Sequence, residues 1–178
     1  SADAVEVALW PEIHFEGMYG RSPVMRELFS QLDNLARKDG QLRYVPILLV
    51  GPTGTGKDLA ARAIYARSPR NRKPFITVDC AAISGGLADA FESARGGTLF
   101  LDEICELAPD LQAKLLRPLE LAELQRRDVR VVATSHHNLV KLMEQARFRE
   151  DLFYRLQGIL LELPSLHERG DDVLLLAE

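Results

Sequence analysis

Hydrophobic positions along the chain follow two repeating patterns. Short, nearly continuous apolar runs of strand length occupy residues 44–50, 75–78, 97–102, 129–133 and 159–163. Between these runs, apolar residues recur every three or four positions, as on one face of a helix, at residues 22–35, 57–67, 87–94, 109–124, 139–145 and 149–156. Buried strands that alternate with helices are typical of a parallel sheet covered on both faces. The pattern therefore predicts an α/β fold with a five-stranded parallel sheet.

Glycine and proline residues indicate where several of these elements begin or end. Gly40 lies just beyond the expected end of the first helix. The helix that starts at Pro109 is expected to kink or end at Pro118, because proline removes a backbone donor. Pro164 ends the fifth strand, and a further helix is expected from Asp171 onward.

The composition is that of about one folded domain of 178 residues, 47% of them hydrophobic. The net charge is −4, from 22 Lys and Arg against 26 Asp and Glu, which argues against a domain whose main task is to neutralise nucleic-acid phosphates. No apolar run reaches the length of a membrane span, and no signal peptide is evident, so no membrane association is expected. With only two cysteines, Cys80 and Cys105, a cytoplasmic location is expected. The start Ser1-Ala2-Asp3, without Met, suggests a segment of a longer gene product.

A glycine-rich loop follows the first predicted strand and precedes a predicted helix. It reads Gly-Pro-Thr-Gly-Thr-Gly-Lys and fits seven positions of the pattern G-x-x-x-x-G-K-[ST]. The glycines let backbone N–H groups surround an anion, while the helix N-terminus and Lys57 add positive potential for the β- and γ-phosphates. The alternative is a glycine-rich turn that happens to precede a lysine. The context predicts a nucleotide-phosphate site formed by Gly51, Pro52, Thr53, Gly54, Thr55, Gly56, Lys57 and Asp58.

Asp58 departs from the pattern, which has Ser or Thr at this position to place a hydroxyl group on Mg²⁺. A carboxylate can also hold Mg²⁺, directly or through water, but it adds negative charge beside the phosphates. Asp58 is therefore a candidate metal ligand, and its presence weakens the prediction of catalysis.

Two carboxylates, Asp102 and Glu103, end the third predicted strand. Ligands of α/β sheets bind at the carboxyl ends of the strands, where Asp102 is placed to coordinate Mg²⁺ and Glu103 to polarise an attacking water. The alternative is a strand end with two solvated acids. Downstream of a phosphate loop, the pattern favours the functional interpretation.

Longer stretches of the sequence resemble a known family. They include Gly-Thr-Gly-Lys-Asp-Leu-Ala-Ala-Arg-Ala-Ile (54–64), Gly-Gly-Thr-Leu-Phe-Leu-Asp-Glu-Ile (96–104), Asp-Val-Arg-Val-Val-Ala-Thr (128–134) and Arg-Phe-Arg-Glu-Asp-Leu-Phe-Tyr-Arg-Leu (147–156). In this order they resemble the central ATPase domain of bacterial enhancer-binding proteins, the AAA+ activators of sigma-54 RNA polymerase. The resemblance covers nearly the whole chain.

The resemblance implies both a fold and a function. Residues 1–162 would form the three-layer α/β/α sandwich of an AAA+ P-loop NTPase, and residues 163–178 a linker and the start of a helical lid that is mostly absent. The domain would bind ATP and Mg²⁺ and hydrolyse ATP in a ring of six or seven copies to remodel transcription machinery. The implied partners are further copies of the chain, RNA polymerase with sigma-54, and DNA through another domain.

The resemblance also assigns roles to individual residues. Residues 51–58 resemble the Walker A segment, and Asp102 with Glu103 the Walker B segment. Arg149 and Arg155 match arginines that such rings insert into a neighbouring subunit's site.

Two assignments, that of the two arginines and that of Tyr19 with Gly20, depend on the resemblance alone. Spacing by itself favours ion pairing of the two arginines with Glu150 or Asp151 on a helix surface. Tyr19 and Gly20 are similar to the loop that touches the adenine side of the nucleotide.

Several departures from the family pattern leave an alternative open. The Gly-Ala-Phe-Thr-Gly-Ala loop that grips sigma-54 has no counterpart in residues 80–96, and a second substrate-facing loop is reduced to residues 119–127. Asp79 and Ser135 each stand where the family usually has Asn. Either this member no longer remodels sigma-54, or the sequence lacks residues that the native gene encodes. The alternative function is a hydrolysis-impaired nucleotide-binding or oligomerisation module.

Other polar residues receive structural interpretations. His136 and His137 are expected in a surface loop, pointing to different sides and without an accompanying Cys or acid. Cys105 is expected to be an inert thiol because no activating base is evident. The basic stretch 67–73 is interpreted as a solvated loop.

Overall fold

The computed structural model describes residues 8–170 and Asp172 and shows a β-sheet surrounded by helices. Its strands are β1 (His14–Phe15), β2 (Met18–Tyr19), β3 (Ile47–Val50), β4 (Phe75–Asp79), β5 (Thr98–Asp102), β6 (Arg130–Ser135) and β7 (Ile159–Glu162). Its α-helices are α1 (Pro23–Arg37), α2 (Asp39–Leu42), α3 (Lys57–Ala66), α4 (Leu87–Ser93), α5 (Pro109–Leu115), α6 (Leu121–Arg127), α7 (Leu139–Glu144) and α8 (Glu150–Leu156). Short 3-10 helices cover Ile104–Glu106 and Leu166–Arg169. Within the described residues, none of the helices combines the length and hydrophobicity needed to cross a bilayer.

Five strands form one parallel sheet in the order β4-β5-β6-β3-β7. β3 lies at an inner position, where Leu48 is opposite Ala133 of β6 and Leu160 of β7. Helices occupy each connection between consecutive strands of this sheet, as parallel pairing requires. The predicted α/β fold with a five-stranded parallel sheet is confirmed.

Both faces of the sheet are buried, because the strands are apolar at successive positions. Leu48, Leu99 and Leu101 belong to one hydrophobic cluster, which α4 to α8 cover. Ile47 and Phe100 belong to a second cluster, which packs against α1 and α3. The layers are thus helix, sheet and helix, as the resemblance implied.

Two predicted helix boundaries are confirmed. α5 begins at Pro109 as expected and ends before Pro118, and a separate helix, α6, follows. The first helix, α1, ends at Arg37, so Gly40 lies just beyond it as expected. Gly40 is itself inside α2, a four-residue helix that was not predicted and that starts at Asp39, whose buried carboxylate is bound by Arg70.

An N-terminal hairpin of β1 and β2 was not predicted from the sequence. Its residues pair antiparallel over two positions, too few for a visible alternation. The hairpin contacts the chain beyond the sheet, because Arg169 donates a hydrogen bond to the backbone oxygen of Tyr19. Asp172 accepts hydrogen bonds from the backbone N–H groups of Arg21 and Ser22. The helix predicted from Asp171 onward lies outside the described residues, apart from Asp172.

The interpretation of residues 67–73 as a solvated loop is wrong for its central arginine. Arg70 is 4% exposed and binds both carboxylate oxygens of Asp39 at 2.9 and 3.1 Å. Its other nitrogens donate to the backbone oxygens of Gly97 and Asp128 and to the Asp128 carboxylate at 2.6 Å. The basic run suggested solvation because these acceptors are distant in sequence.

Candidate functional site

The glycine loop leaves the carboxyl end of β3, at an inner position of the sheet, and leads directly into α3. Gly54 and Gly56 have φ angles of +85° and +92°, which residues with a Cβ rarely adopt, so the loop conformation depends on glycine at both positions. The Thr55 backbone N–H and hydroxyl both donate to the backbone oxygen of Pro52, which closes the turn.

The amides of this loop are available to an anion. Among the described residues, the backbone N–H groups of Gly54, Gly56, Lys57 and Asp58 have no hydrogen-bond acceptor. Unpaired amides at the first turn of a helix, combined with the helix dipole, form a site of positive potential. The arrangement has the chemistry expected for binding a phosphate.

Lys57 lies between the loop and the acidic strand end. Its side chain is 6% exposed, and its ammonium group donates to the backbone oxygens of Gly51 at 2.8 Å and Pro52 at 3.2 Å. The same nitrogen lies 3.7 Å from Oε1 of Glu103. The loop that follows β3 and the acid that follows β5 therefore meet in one site.

Asp102 is the last residue of β5, and its carboxylate accepts a hydrogen bond from the Thr134 hydroxyl at 3.0 Å. Burial raises the pKa of Asp102 above its usual value, and the negative charges of Glu103, Asp58 and Asp79 raise it further, against the effect of Thr134. The site thus holds more negative charge than its own residues neutralise.

Glu103 is held by two partners. Its Oε2 accepts from the backbone N–H of His136 at 3.0 Å and contacts the Nδ1 of the same residue at 2.5 Å, while Oε1 faces Lys57. Burial would raise the pKa of Glu103, but the two hydrogen bonds from His136 and the charge of Lys57 outweigh it and lower the pKa. The carboxylate is therefore anionic and fixed in position.

Thr134 and His136 were not among the predicted site residues. Thr134 also accepts a hydrogen bond from the Glu103 backbone N–H at 2.9 Å. Both residues come from the carboxyl end of β6, which neighbours β5 in the sheet. Only the order of the strands in the sheet brings these two residues to the site, and this order cannot be read from the linear sequence.

His136 and His137 lie in the loop after β6 as expected, but the arguments used for them and for Cys105 are wrong, because a thiol, a base and acids lie together here. The ring centroids of His136 and His137 are 4.1 Å apart and the ring planes are tilted by 42°, so the two side chains lie next to each other. Sγ of Cys105 lies 3.6 Å from the Nδ1 of His136 and 3.5 Å from Oε2 of Glu103, so a base and an acid are both adjacent. Glu106 faces both rings, at 3.6 Å from Nε2 of His136 and 3.8 Å from Nε2 of His137. Glu103, Cys105 and Glu106 precede the two histidines by about 30 residues, so the short-range spacing of ligands in the sequence could not show these contacts.

Burial raises the pKa of the Cys105 thiol, although the Ser135 hydroxyl and the backbone N–H groups of His137 and His136 favour the thiolate. In the absence of another positive charge the thiol is protonated at neutral pH. The low reactivity expected for Cys105 therefore follows from burial of the thiol and not from the lack of a neighbouring base.

Apart from the effect of Ser135 on Cys105, the residues that depart from the family pattern contact groups within their own segments. Asp58 forms an exposed ion pair with Arg62 at 3.1 Å. Asp79 accepts from the backbone N–H of Ala81, and Ser135 donates to the backbone oxygen of His137.

Four other predicted residues form no hydrogen bond or ion pair with the glycine loop among the described residues, although Met18, next to Tyr19, lies against Gly56. Arg149 forms an ion pair with Asp151 at 3.0 Å, as spacing alone suggested. Arg155 donates to the backbone oxygen of Leu116 at 2.8 Å. Tyr19 is 49% exposed at the end of the hairpin, and the Gly20 backbone N–H donates to Ile13. The contacts of these four residues within one chain therefore do not test their predicted roles.

Comparison with solved structures identifies the class of the fold. The P-loop NTPase domain of a sigma-54 transport activator from E. coli superposes with a TM-score of 0.63 at 22% identity, over 83% of this chain and 99% of that one. NtrX from Brucella abortus in complex with ADP superposes with a TM-score of 0.77 at 30% identity, over 93% of this chain and 41% of NtrX. The chain has the AAA+ P-loop NTPase fold.

Sequence comparison identifies the family. The sigma-54 interaction domain profile matches residues 19–166, and the chain belongs to this family of domains in transcriptional regulators. The transcriptional regulatory protein ZraR of Escherichia coli K12 is 38% identical over 189 aligned positions, covering 90% of this chain and 42% of ZraR. The Nif-specific regulatory protein of Azotobacter vinelandii is also 38% identical, covering 92% of this chain and 36% of that protein. The chain thus spans about two fifths of the length of these relatives.

The ZraR alignment is longer than the part of this chain that it covers. Ninety per cent of the 178 residues is about 160, so roughly 29 of the 189 aligned positions have no residue of this chain opposite them. Between the end of β4 and the start of β5 the chain contains only the seven-residue helix α4 as an α-helix or strand, in agreement with the short segment noted there.

Proposed function

We propose that this chain is the ATP-binding AAA+ domain of a sigma-54-activator-type regulator, and that it hydrolyses ATP in an oligomeric ring to remodel transcription machinery. The observation that carries the proposal is the position of Lys57. Its buried ammonium group donates to two backbone oxygens of the glycine loop, whose amides are unpaired, and lies 3.7 Å from Glu103. A fixed cation between a phosphate-binding turn and an anionic carboxylate suits phosphoryl transfer, which depends on positioning and on neutralising charge.

The loop would hold the triphosphate. The amides of Gly54, Gly56 and Lys57 would donate to phosphate oxygens, and the Lys57 ammonium would turn from the backbone oxygens of Gly51 and Pro52 to the β- and γ-phosphates. NtrX was crystallised in complex with ADP and with ATP, which supports this proposal. Following the family resemblance, Tyr19 and Gly20 would lie on the adenine side.

Asp102 and Asp58 would hold Mg²⁺. The residues present fit this ion, because carboxylate oxygens are its preferred protein ligands and because Asp102, whose pKa is raised by burial and then by the charges of Glu103, Asp58 and Asp79, would be relieved by a cation. When bound, Mg²⁺ would neutralise charge on the phosphate oxygens. Asp58 would have to leave Arg62 to contribute.

Glu103 would orient and polarise the attacking water. Because its pKa is lowered, Glu103 stays ionised and can accept a hydrogen bond from this water. Contacts to Lys57 and His136 restrict the motion of the carboxylate. The Thr134 hydroxyl binds the Glu103 backbone and the Asp102 carboxylate, so it would position both acids relative to each other.

Ring assembly would complete the site. Arg149 and Arg155 would leave their own-chain partners and reach the γ-phosphate bound by the neighbouring copy, where a guanidinium stabilises transition-state charge. RNA polymerase with sigma-54 would be the remodelled partner, and DNA would be bound through another domain. Residues from 163 onward would connect to the helical lid.

A second candidate function is a nucleotide-binding or assembly module that hydrolyses ATP poorly and does not engage sigma-54. Three observations favour it: the carboxylate at Asp58, the engagement of Glu103 by His136, and the roughly 29 missing alignment positions.

Replacement of Glu103 by Gln decides between the two functions. For an ATPase, the assembled Glu103→Gln protein should bind Mg-ATP with unchanged affinity in calorimetric titration but release phosphate about 100-fold more slowly or worse. If the unaltered assembled protein binds Mg-ATP tightly and releases no phosphate, the module is the function. A Glu103→Gln variant with undiminished turnover would show that Glu103 is not the catalytic carboxylate.

A further inference from the structure

Five metal-ligating side chains meet beside the acidic strand end. Glu103, Cys105 and Glu106 come from the end of β5 and the 3-10 helix that follows, and His136 and His137 come from the end of β6. One potential ligand atom each from Glu103, Cys105 and His136 lies within 4.8 Å of the others, and all three residues are partly buried. Mixed sulfur, nitrogen and oxygen donors differ from the all-oxygen set suited to Mg²⁺.

The spacing of the three atoms matches one face of a tetrahedral metal site. Bond lengths of about 2.3 Å to sulfur and about 2.0–2.1 Å to nitrogen or oxygen place tetrahedral ligands about 3.6 Å from the sulfur. Sγ of Cys105 lies 3.6 Å from Nδ1 of His136 and 3.5 Å from Oε2 of Glu103. The remaining pair, Nδ1 and Oε2, is 2.5 Å apart and would need to open by about 0.8 Å, which is what replacing a hydrogen-bonding proton by a metal ion requires.

The surroundings of Nε2, the second ring nitrogen of His136, also suit a metal-bound histidine. Coordination through Nδ1 of His136 requires the ring proton on Nε2, and Nε2 lies 3.6 Å from Oε1 of Glu106. A carboxylate behind a histidine ligand orients the ring and strengthens it as a ligand, a recurring arrangement around protein-bound zinc. Glu106 has no other evident function in the proposed ATPase.

We propose that Glu103, Cys105 and His136 bind a divalent transition-metal ion of the Zn²⁺ class, with Glu106 orienting His136 and water completing the tetrahedron. Binding replaces the S–H bond of Cys105 by a metal–sulfur bond and releases that proton to solvent. The thiolate and imidazole donors select this ion class over Mg²⁺.

Occupancy would also control turnover, an extension that rests on the proposed function. The metal ion would occupy Oε2 of the carboxylate that polarises the attacking water, while the glycine loop would remain free. Zn²⁺ is therefore expected to inhibit phosphate release without weakening nucleotide binding.

Cobalt spectroscopy tests metal binding independently of ATP hydrolysis. Metal-free, reduced protein is titrated with Co²⁺ in excess Mg²⁺. One equivalent should produce a thiolate-to-cobalt charge-transfer absorption and the visible bands of a tetrahedral ion, and both should disappear when Zn²⁺ is added. Glu106→Gln should weaken binding about 10–100-fold, the range found for groups that orient a histidine ligand.

Matched cysteine variants locate the site. Cys105→Ser should lose the charge-transfer absorption, and Cys80→Ala should keep it, because Cys80 is buried and offers no atom to the cluster. The proposal is overturned if the protein binds no stoichiometric Co²⁺, if the absorption survives Cys105→Ser in a protein with unchanged circular dichroism, or if it requires Cys80. His136→Asn, which keeps a polar side chain, provides a second test should Cys105→Ser not fold.

The inhibition is measured as the ratio of phosphate release with and without stoichiometric Zn²⁺ in the same variant. The ratio should fall well below one in the unaltered protein and return to one in Cys105→Ser. Metal binding without any effect on turnover would overturn only the inhibitory role. Absence of turnover in metal-free protein would instead contradict the proposed ATPase and leave the spectroscopic result intact.

Discussion

One buried hydroxyl group, that of Thr134, connects the two acids of the candidate site. It donates to Asp102 and accepts from the backbone N–H of Glu103, which has a φ of 55°. A residue other than glycine is uncommon in this left-handed conformation, so the bond to Thr134 helps to maintain it. The position of the proposed catalytic carboxylate thus depends on a neighbouring strand.

Replacing Thr134 by Val, which keeps the shape and removes the hydroxyl, should destabilise the protein. The Glu103 backbone N–H and the Asp102 carboxylate would each lose a partner, and we expect the free energy of unfolding to fall by about 1–3 kcal/mol. Urea denaturation at neutral pH, without nucleotide, measures the change.

Thr98→Val is a matched control, since Thr98 is equally buried in the neighbouring strand β5. Its hydroxyl has no hydrogen-bond partner within the described residues, so removing it should leave the free energy of unfolding unchanged or raise it. Equal losses in the two variants would mean that Thr134 contributes by packing alone.

Among the structural elements, the loop of residues 67–73 contains a buried arginine that ties it to two helices. Arg70 joins the start of α2 at Asp39 to the end of α6 at Asp128, and it is nearly inaccessible to solvent. Burial would raise the pKa of Asp128, but hydrogen bonds from Arg70 and Tyr44 outweigh it and lower the pKa. The ionised carboxylate therefore stabilises the folded state.

Asp128→Asn tests this contribution through its pH dependence. A lowered folded-state pKa means that the stabilisation is complete above the unfolded pKa of about 3.9 and is lost as the pH falls through the folded value. Asn tolerates the φ of 54° at this position, so the main change is the lost charge. The urea midpoint of Asp128→Asn should lie below that of the unaltered protein at pH 6, and the difference should shrink towards pH 3.

Glu144→Gln provides the reference for this experiment, because Glu144 is exposed and forms no ion pair among the described residues. Its midpoint should follow that of the unaltered protein at every pH. A constant difference between Asp128→Asn and the unaltered protein from pH 6 to pH 3 would contradict an electrostatic origin.

Structural elements that depend on residues adjacent in the sequence were predictable from the sequence. Continuous apolar runs identified the five sheet strands, and the start of α5 at Pro109 followed from local chemistry. The hairpin and the buried position of Arg70 were not predictable. The hairpin strands are two residues long, and the acceptors of Arg70 lie 31 and 58 positions away, where no periodicity reaches.

The same distinction applies to the candidate site. The glycine loop and the acidic pair are contiguous motifs, and the structure brings Lys57 and Glu103 together at 3.7 Å. The contribution of Thr134 and His136 depends on β6 lying next to β5, which the sequence does not reveal. Assignments of catalytic and binding roles to these residues remain predictions.

For the molecule as a whole, a single chain supplies only part of the proposed catalytic machinery. Lys57 and Glu103 share one site, whereas Arg149 and Arg155 bond to acceptors on their own surface, at Asp151 and Leu116. A head-to-tail interface in a closed ring would bring the arginines of one copy to the loop of the next. Hydrolysis should then depend on assembly.

Mixed oligomers test whether Arg149 acts on a neighbouring copy. Glu103→Gln and Arg149→Ala rings should each be inactive. Random equal mixing should restore about a quarter of normal phosphate release, because a quarter of the interfaces pair an intact Glu103 with an intact Arg149. Mixing Glu103→Gln with Lys57→Ala should restore nothing, since these two residues lie 3.7 Å apart within one chain and every site lacks one of them. Were Arg149 to serve its own chain's site, the first mixture would be as inactive as the second, so the difference in phosphate release between the two mixtures identifies which copy supplies the arginine.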